Sequence, residues 1–259
     1  MYGTPSVVNS FGSPVASHAH SLETLETLYQ FDDFMHSIQN VADMGCGAGL
    51  DMAWWATRTT RDADARPLNI RCLGIDLAQS CAATGQHRYI SYLPQDFEQP
   101  IQIHKRRFDV IWCHDAFQYV QDPFRTLEQW RDCVTPGGML VIQVPQTTVF
   151  AQNREHIEQA DGCYWHWTLV NLMHVLAVSG WNCAAGFFRR LAGDAWITAI
   201  VYRGDHGVLD ARTTRWHDLC DRGVLPDSAV RSIQRHGYVR QQDLVLPWID
   251  KSLTSLHRH

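Results

Sequence analysis

Long apolar runs are absent from this 259-residue sequence, and so are the usual marks of metal, disulfide or nucleic-acid chemistry. Its apolar stretches are short and broken by charge, so none reaches the length of a membrane span. Residues 1–20 lack a basic region followed by an apolar stretch. No signal peptide is read there, and a cytosolic (cytoplasmic) setting is expected. Eight cysteines are scattered along the chain without a C-x-x-C pair, so no disulfide framework is expected. The 14 histidines show no His-Glu-x-x-His spacing, so no metal is expected. The formal net charge is −5, and the basic clusters Lys105-Arg106-Arg107 and Arg189-Arg190 are small. A duplex-binding surface needs far more positive charge to replace counterions, so nucleic acid is a minor expectation as partner.

What the chain does have is 45% hydrophobic residues, ample for one core with an appendage. Residues 1–20 read as a loose arm rich in Ser, Pro, Gly and His. From Ser21, as N-cap, to Ile38, apolar residues at helical spacing predict a helix. From Asn40, strands and helices alternate. Strands are predicted at 41–44, 70–75, 90–93, 108–113 and 139–144, then at 181–188 and 196–202 around a turn at Gly193-Asp194. Helices are predicted at 50–59, 123–133 and 168–179. Pro136-Gly137-Gly138 should form a turn between the helix at 123–133 and the fifth strand. Such alternation implies a mainly parallel α/β sheet covered on both faces, with the final hairpin as an antiparallel edge. After Gly204 the pattern is helical and more polar, with candidate helices at 210–221 and 228–236. The apolar stretch Leu244 to Ile249 should pack on the body or on a second subunit. Three regions follow: 1–39, an arm and cap helix; 40–204, the main domain; and 205–259, a helical C-terminal extension through which a homodimer would form.

The sharpest chemical signal is Asp43-Met44-Gly45-Cys46-Gly47-Ala48-Gly49. It ends a strand and opens a helix, at the carboxyl edge where parallel sheets bind ligands. Glycines let the backbone approach a ligand, and the following helix offers free N–H groups. The spacing does not meet G-x-G-x-x-G, which argues against a nicotinamide or flavin enzyme.

Residues 41–49 resemble motif I of class I S-adenosylmethionine-dependent methyltransferases, D/E-x-G-x-G-x-G. The resemblance continues in order through Gly74-Ile75-Asp76, Gln95-Asp96-Phe97, Phe108 to Asp115, Phe117 to Pro123 and Thr135-Pro136-Gly137-Gly138, and covers residues 41 to about 202. It is similar in style to the small-molecule branch. It implies a Rossmann-like, doubly wound, seven-stranded sheet with helices on both faces, and S-adenosylmethionine as cofactor. Asp43, Gly45, Cys46, Gly47 and Gly49 would bind the cofactor, the turn wrapping its adenosyl sulfonium. Asp76, with Leu77 beside it, would hold the ribose, since a carboxylate accepts two bonds from a diol. Asp96 and Phe97 would meet the adenine, and His114 and Asp115 would close the cofactor's methionine end. One departure stands out: His114-Asp115 occupy a place where that branch often has a small or amide residue.

Methyl transfer from a sulfonium mainly needs a nucleophile held in line, and a base only where the acceptor carries a proton. Candidate bases are His114 first, then Tyr119 and His166, with Asp115 in the same cluster. His114 serving only as a cofactor contact remains the bland alternative, as do a strand-end turn for Asp43, a helix N-cap for Asp76, a solvated acid for Asp96 and a packed loop histidine for His166. Trp54, Trp55 and Trp112 are expected in the core, and Tyr164, Trp165 and Trp167 in either a substrate wall or the core. The N-terminal helix should cover the cofactor, bringing Tyr2, Phe11, His18 or His20 to the site. The expected substrate is a small molecule with an O, N or C nucleophile. Two other readings stay open: a cofactor-binding protein that acts through partners without methylating, and a protein or RNA methyltransferase.

Overall fold

A computed structural model of the chain describes residues 14–78, 81–101, 107–146, 164–191 and 196–249, together with 253 and 256. Seven strands form one sheet: β1 (Asn40–Met44), β2 (Arg71–Asp76), β3 (Ile90–Pro94), β4 (Phe108–His114), β5 (Val134–Pro145), β6 (Trp181–Leu191) and β7 (Trp196–Arg203). Their order is β3-β2-β1-β4-β5-β7-β6. β1 to β5 pair in parallel, while β7 runs antiparallel to both β5 and β6. The antiparallel strand therefore lies one place in from the edge, and β6 forms the rim. Order reverses between β1 and β4, which opens a crevice at their carboxyl ends.

Successive residues of a strand face opposite sides, and β4 shows it plainly. Val110 and Trp112 belong to one apolar cluster, Ile111 and Cys113 to the other. The first cluster is closed by α1 (Pro14–Leu28), α2 (Asp32–Ser37) and α3 (Leu50–Ala56). The second is closed by α4 (Pro123–Cys133), α5 (Leu169–Val178), α6 (Trp216–Asp221) and α7 (Asp227–His236). Trp54, Trp55 and Trp112 are all buried, as their sequence context suggests.

Three local expectations are corrected. The helix expected from Ser21 to Ile38 is two helices, and the first already begins at Pro14. Ser21 is therefore not an N-cap; it is buried in mid-helix and bonds elsewhere. Pro136-Gly137-Gly138 is not a turn before the strand, because β5 starts at Val134 and runs through it. The register against β4 shifts between Phe108 and Val110, and Gly137 takes φ +70° there. A Cβ on Gly138 would stand 3.0 Å from Asp109 O, so only glycine lets the strands close up at this irregularity. Helix α6 starts at Trp216, since the residues from Asp210 form turns bonded to the Asp210 carbonyl. The tip at Gly193-Asp194 lies outside the described residues, although Leu191 pairs with Trp196 across it.

The C-terminal extension joins the main core: Leu219, Val224, Leu225, Ala229 and Ile233 are buried in the second cluster. Its tail follows β6, where Phe188 N donates to Pro247 O at 2.9 Å and Arg189 lies over the Trp248 ring at 5.4 Å. Ile249 is buried, while Val245 is 80% exposed.

Candidate active site

β1 delivers Asp43 and then the glycine-rich turn to the crevice. Gly45, Gly47 and Gly49 have φ of +77°, +49° and +82°, values that L side chains rarely adopt. Gly45 N and Gly49 N are tied to Ile75 O and Cys46 O, both at 2.8 Å. A Cβ on Gly45 would stand 2.3 Å from the Ala116 Cβ, so the turn is pressed against the chain leaving β4. A Cβ on Gly47 would meet nothing within 4 Å, so Gly47 borders open space.

Asp76, ending β2, accepts from Gly47 N at 2.9 Å and from Ala78 N at 3.1 Å. Leu77 beside it is 69% exposed. Asp96 accepts from Glu98 N at 2.9 Å, a local turn bond. The Phe97 ring lies 3.4 Å from the place a Gly45 Cβ would occupy, and 6.0 Å from the Trp130 ring. The cleft itself, of about 120 Å³, is lined by His18, Asp43, Gly45, Cys46, Gly47, Ala48, Leu50, Asp51, His114 and Asp115. Burial, with Asp51 and Asp76 nearby, raises the Asp43 carboxyl well above the usual range. Burial likewise pushes the Cys46 thiol up, so it stands there as a neutral thiol.

His114 ends β4 with its ring stacked on Trp196 at 5.6 Å. Its Nε2 is buried and has no hydrogen-bond partner among the described residues. Burial lowers its pKa to about 4, with Asp51 pulling the other way and His20 and His18 adding to the fall. The ring faces Asp51 at 3.9 Å, yet burial outweighs that attraction, so His114 is neutral near pH 7. Asp115 takes φ +52°, tolerated by a short polar side chain, and accepts from Gln118 Nε2 at 2.7 Å.

The other candidates lie apart from this lining. Tyr119 ends a short 3-10 turn at 117–119 that follows β4. His166 is exposed, in a segment tied to Gln118 O by Tyr164 N and Trp165 N at 3.0 and 3.1 Å. Trp167 is buried and stacks on Phe117 at 5.2 Å and on Trp165 at 5.5 Å, whereas Tyr164 is 60% exposed. Gly49 caps α3 behind the turn, against Cys81 and Ala83.

Helix α1 covers the carboxyl edge. His20 contacts the Trp196 ring at 5.2 Å, its carbonyl accepts from Gln143 Nε2 at 3.3 Å, and Glu23 pairs with Arg189. His18 and His20 thus reach the site; Tyr2 and Phe11 lie outside the described residues. The residue that sequence reasoning missed is Asp51. It receives His18 Nδ1 at 2.6 Å, Ser21 Oγ at 2.7 Å and Trp112 Nε1 at 2.8 Å. Burial would raise its carboxyl, but these donors and the His114 ring hold it below the usual range. The signal was present: Asp51 shares a helical face with Trp54 and Trp55, an acid on an apolar stripe.

A doubly wound α/β sheet with a glycine-rich cleft at its switch point defines a nucleotide-cofactor-binding class. Within that class, residues 42–142 match the family model described as "Methyltransferase domain". Among curated proteins, the trans-aconitate 2-methyltransferase of Deinococcus radiodurans is 30% identical over 115 residues, 44% of this chain. The chain spans about two fifths (41%) of that relative's length. Among solved structures, an O-methyltransferase family protein from Burkholderia thailandensis has a TM-score of 0.57 at 14% identity, covering 74% of this chain and 58% of that one. The plantazolicin methyltransferase BamL, solved in complex with a triazolic desmethylPZN analog and SAH, also scores 0.57 at 14% identity, with 74% and 87% covered. At such identities the structural likeness establishes the fold.

The residues of the cleft fit the cofactor. The turn borders open space at Gly47, and Asp76 sets a carboxylate at the neighbouring strand end. When bound, S-adenosylmethionine supplies an activated methyl group.

Proposed function

We propose that the chain is an enzyme that moves a methyl group from S-adenosylmethionine to a small-molecule O, N or C nucleophile. Asp43, Gly45, Cys46, Gly47 and Gly49 hold the methionine side, Asp76 and Leu77 the ribose, and Asp96 and Phe97 the adenine, with Asp115 closing the methionine end. His114 faces the acceptor and takes its proton where one must leave. Tyr119 and His166 stand as secondary candidates, since neither borders the cleft. The observation that carries this reading is the glycine-turn cleft lined by His114, whose buried Nε2 has no hydrogen-bond partner among the described residues. A buried ring nitrogen without a partner is costly, and a ligand would satisfy it.

The narrow cleft under α1 supports a small acceptor, and the net charge of −5 argues against nucleic acid. A cytoplasmic setting is supported by the seven free cysteines among the described residues. Among those residues, no helix is long and apolar enough to cross a membrane. We retain the division into 1–39, 40–204 and 205–259. A homodimer through the extension would rest on exposed Val245 and Tyr238, because Ile249 and Val239 are buried within the chain itself.

Calorimetric titration with S-adenosylmethionine and with its demethylated product tests the core of the proposal. Micromolar binding is expected; no heat with either would overturn it. A screen of small O, N and C nucleophiles, read by release of the demethylated product, then identifies the acceptor.

A further inference from the structure

Asp51 is a buried carboxylate with an unusual set of neighbours. One oxygen receives His18 and Ser21 from α1, and the other receives Trp112 from β4. That second oxygen also faces His114 Nδ1 at 3.9 Å. Burying a carboxylate is expensive even when it is well bonded. Four groups face the His114 ring: Asp51 from α3, His18 and His20 from α1, and Trp196 from β7.

We propose that Asp51 is the positioning carboxylate of His114, fixing the hydrogen on Nδ1 and so leaving Nε2 as the basic atom of the ring. This rests on the reading of His114 given under Proposed function. A separation of 3.9 Å is too long for a hydrogen bond, so the effect is that of a field. A lone pair on Nδ1 would point at an anion, whereas an N–H there is attracted to it. The neutral ring therefore carries its hydrogen on Nδ1, and Nε2, buried and unpartnered among the described residues, is the basic atom. When the acceptor's proton passes to Nε2, its bonding pair stays on the acceptor atom, and the new imidazolium sits beside a carboxylate. His18 and His20 both oppose that positive charge, and Asp51 is the group that offsets them.

The arrangement also makes α1 part of the catalytic unit. His18 and Ser21 bond the Asp51 oxygen that Trp112 leaves free, so docking of α1 completes the carboxylate's hydrogen bonding.

Long-range proton–nitrogen NMR of the histidine rings tests this without any substrate. In the wild-type chain at pH 7 the His114 ring should show hydrogen on Nδ1 and a bare Nε2. In Asp51→Asn the preference for that tautomer should fall at least tenfold, and the ring should titrate at lower pH. Asp51→Glu should restore both, which a merely structural role would not require. Wild-type His114 with its hydrogen on Nε2, or an Asp51→Asn ring identical to wild type, would overturn the proposal. Should Asp51→Asn fail to fold, the wild-type spectrum still decides. Failure of cofactor binding by calorimetry would sink the methyltransferase reading separately.

Discussion

His18 Nδ1 stands 2.6 Å from Asp51 Oδ1, a charge-assisted bond joining α1 to α3. The hydrogen bond with Asp51 raises the His18 pKa above its usual 6.5. A raised histidine stabilises the fold fully below its unfolded pKa, and the effect is lost as pH rises through the folded value. Asp51 is held low, so its contribution disappears only as pH falls through that depressed value. We expect α1 amides to be most protected from hydrogen exchange in weak acid and to lose protection above pH 6.5. The loss should be about 1 kcal/mol, discounted for partial exposure. His18→Ala should abolish this pH dependence; an unchanged profile would refute the clamp.

His114 shifts the other way. Its pKa falls to about 4, so the unfolded chain binds its proton first and stability declines from pH 6.5 towards 4. At 1.36 kcal/mol for each unit, the decline is about 2–3 kcal/mol by pH 4.5. Denaturant unfolding at pH 7 and 4.5 should show a shallower acid loss in His114→Asn than in the wild type. With an acceptor in hand, kcat/KM should owe no acid limb to His114 above about pH 5.

Two glycines of one turn should respond differently. Gly45→Ala drives a Cβ to 2.3 Å from Ala116 and should destabilise by about 2–4 kcal/mol. Gly47→Ala meets no atom, and only its φ of +49° is strained, costing about 1 kcal/mol. Gly47→Val and Asp76→Ala should both fold and lose at least tenfold in cofactor affinity. Thermal melting alongside calorimetry separates these outcomes.

The tail should matter for stability. Ile249→Ala empties a buried site and should cost about 2–4 kcal/mol in urea unfolding, whereas Val245→Ser should be neutral. Equal effects would mean that the tail does not pack as described.

Much of this arrangement is legible in the sequence, where local chemistry and tertiary packing agree. Helix α4 begins and ends as read, because Asp122 caps it and Pro123 fits its first turn. The glycine turn and Asp76 likewise fall at strand ends set by short apolar runs. The N-terminal helix was misplaced because Ser21 looks like a cap in isolation. Its hydroxyl instead answers a carboxylate 30 residues away, which no local pattern reveals. Pro136 and the two glycines after it suggest a turn, yet the neighbouring strand recruits them into β5. Asp51 escaped notice for the same reason: its meaning lies in its partners on α1 and β4, not in its own neighbours.

The bond from Phe188 N to Pro247 O gives the rim of the sheet a local guard. An uncovered rim invites another polypeptide to add a strand, the first step towards aggregation. By laying its own tail along β6, the chain removes part of that template, so shortening it before Pro247 would favour self-association through that rim.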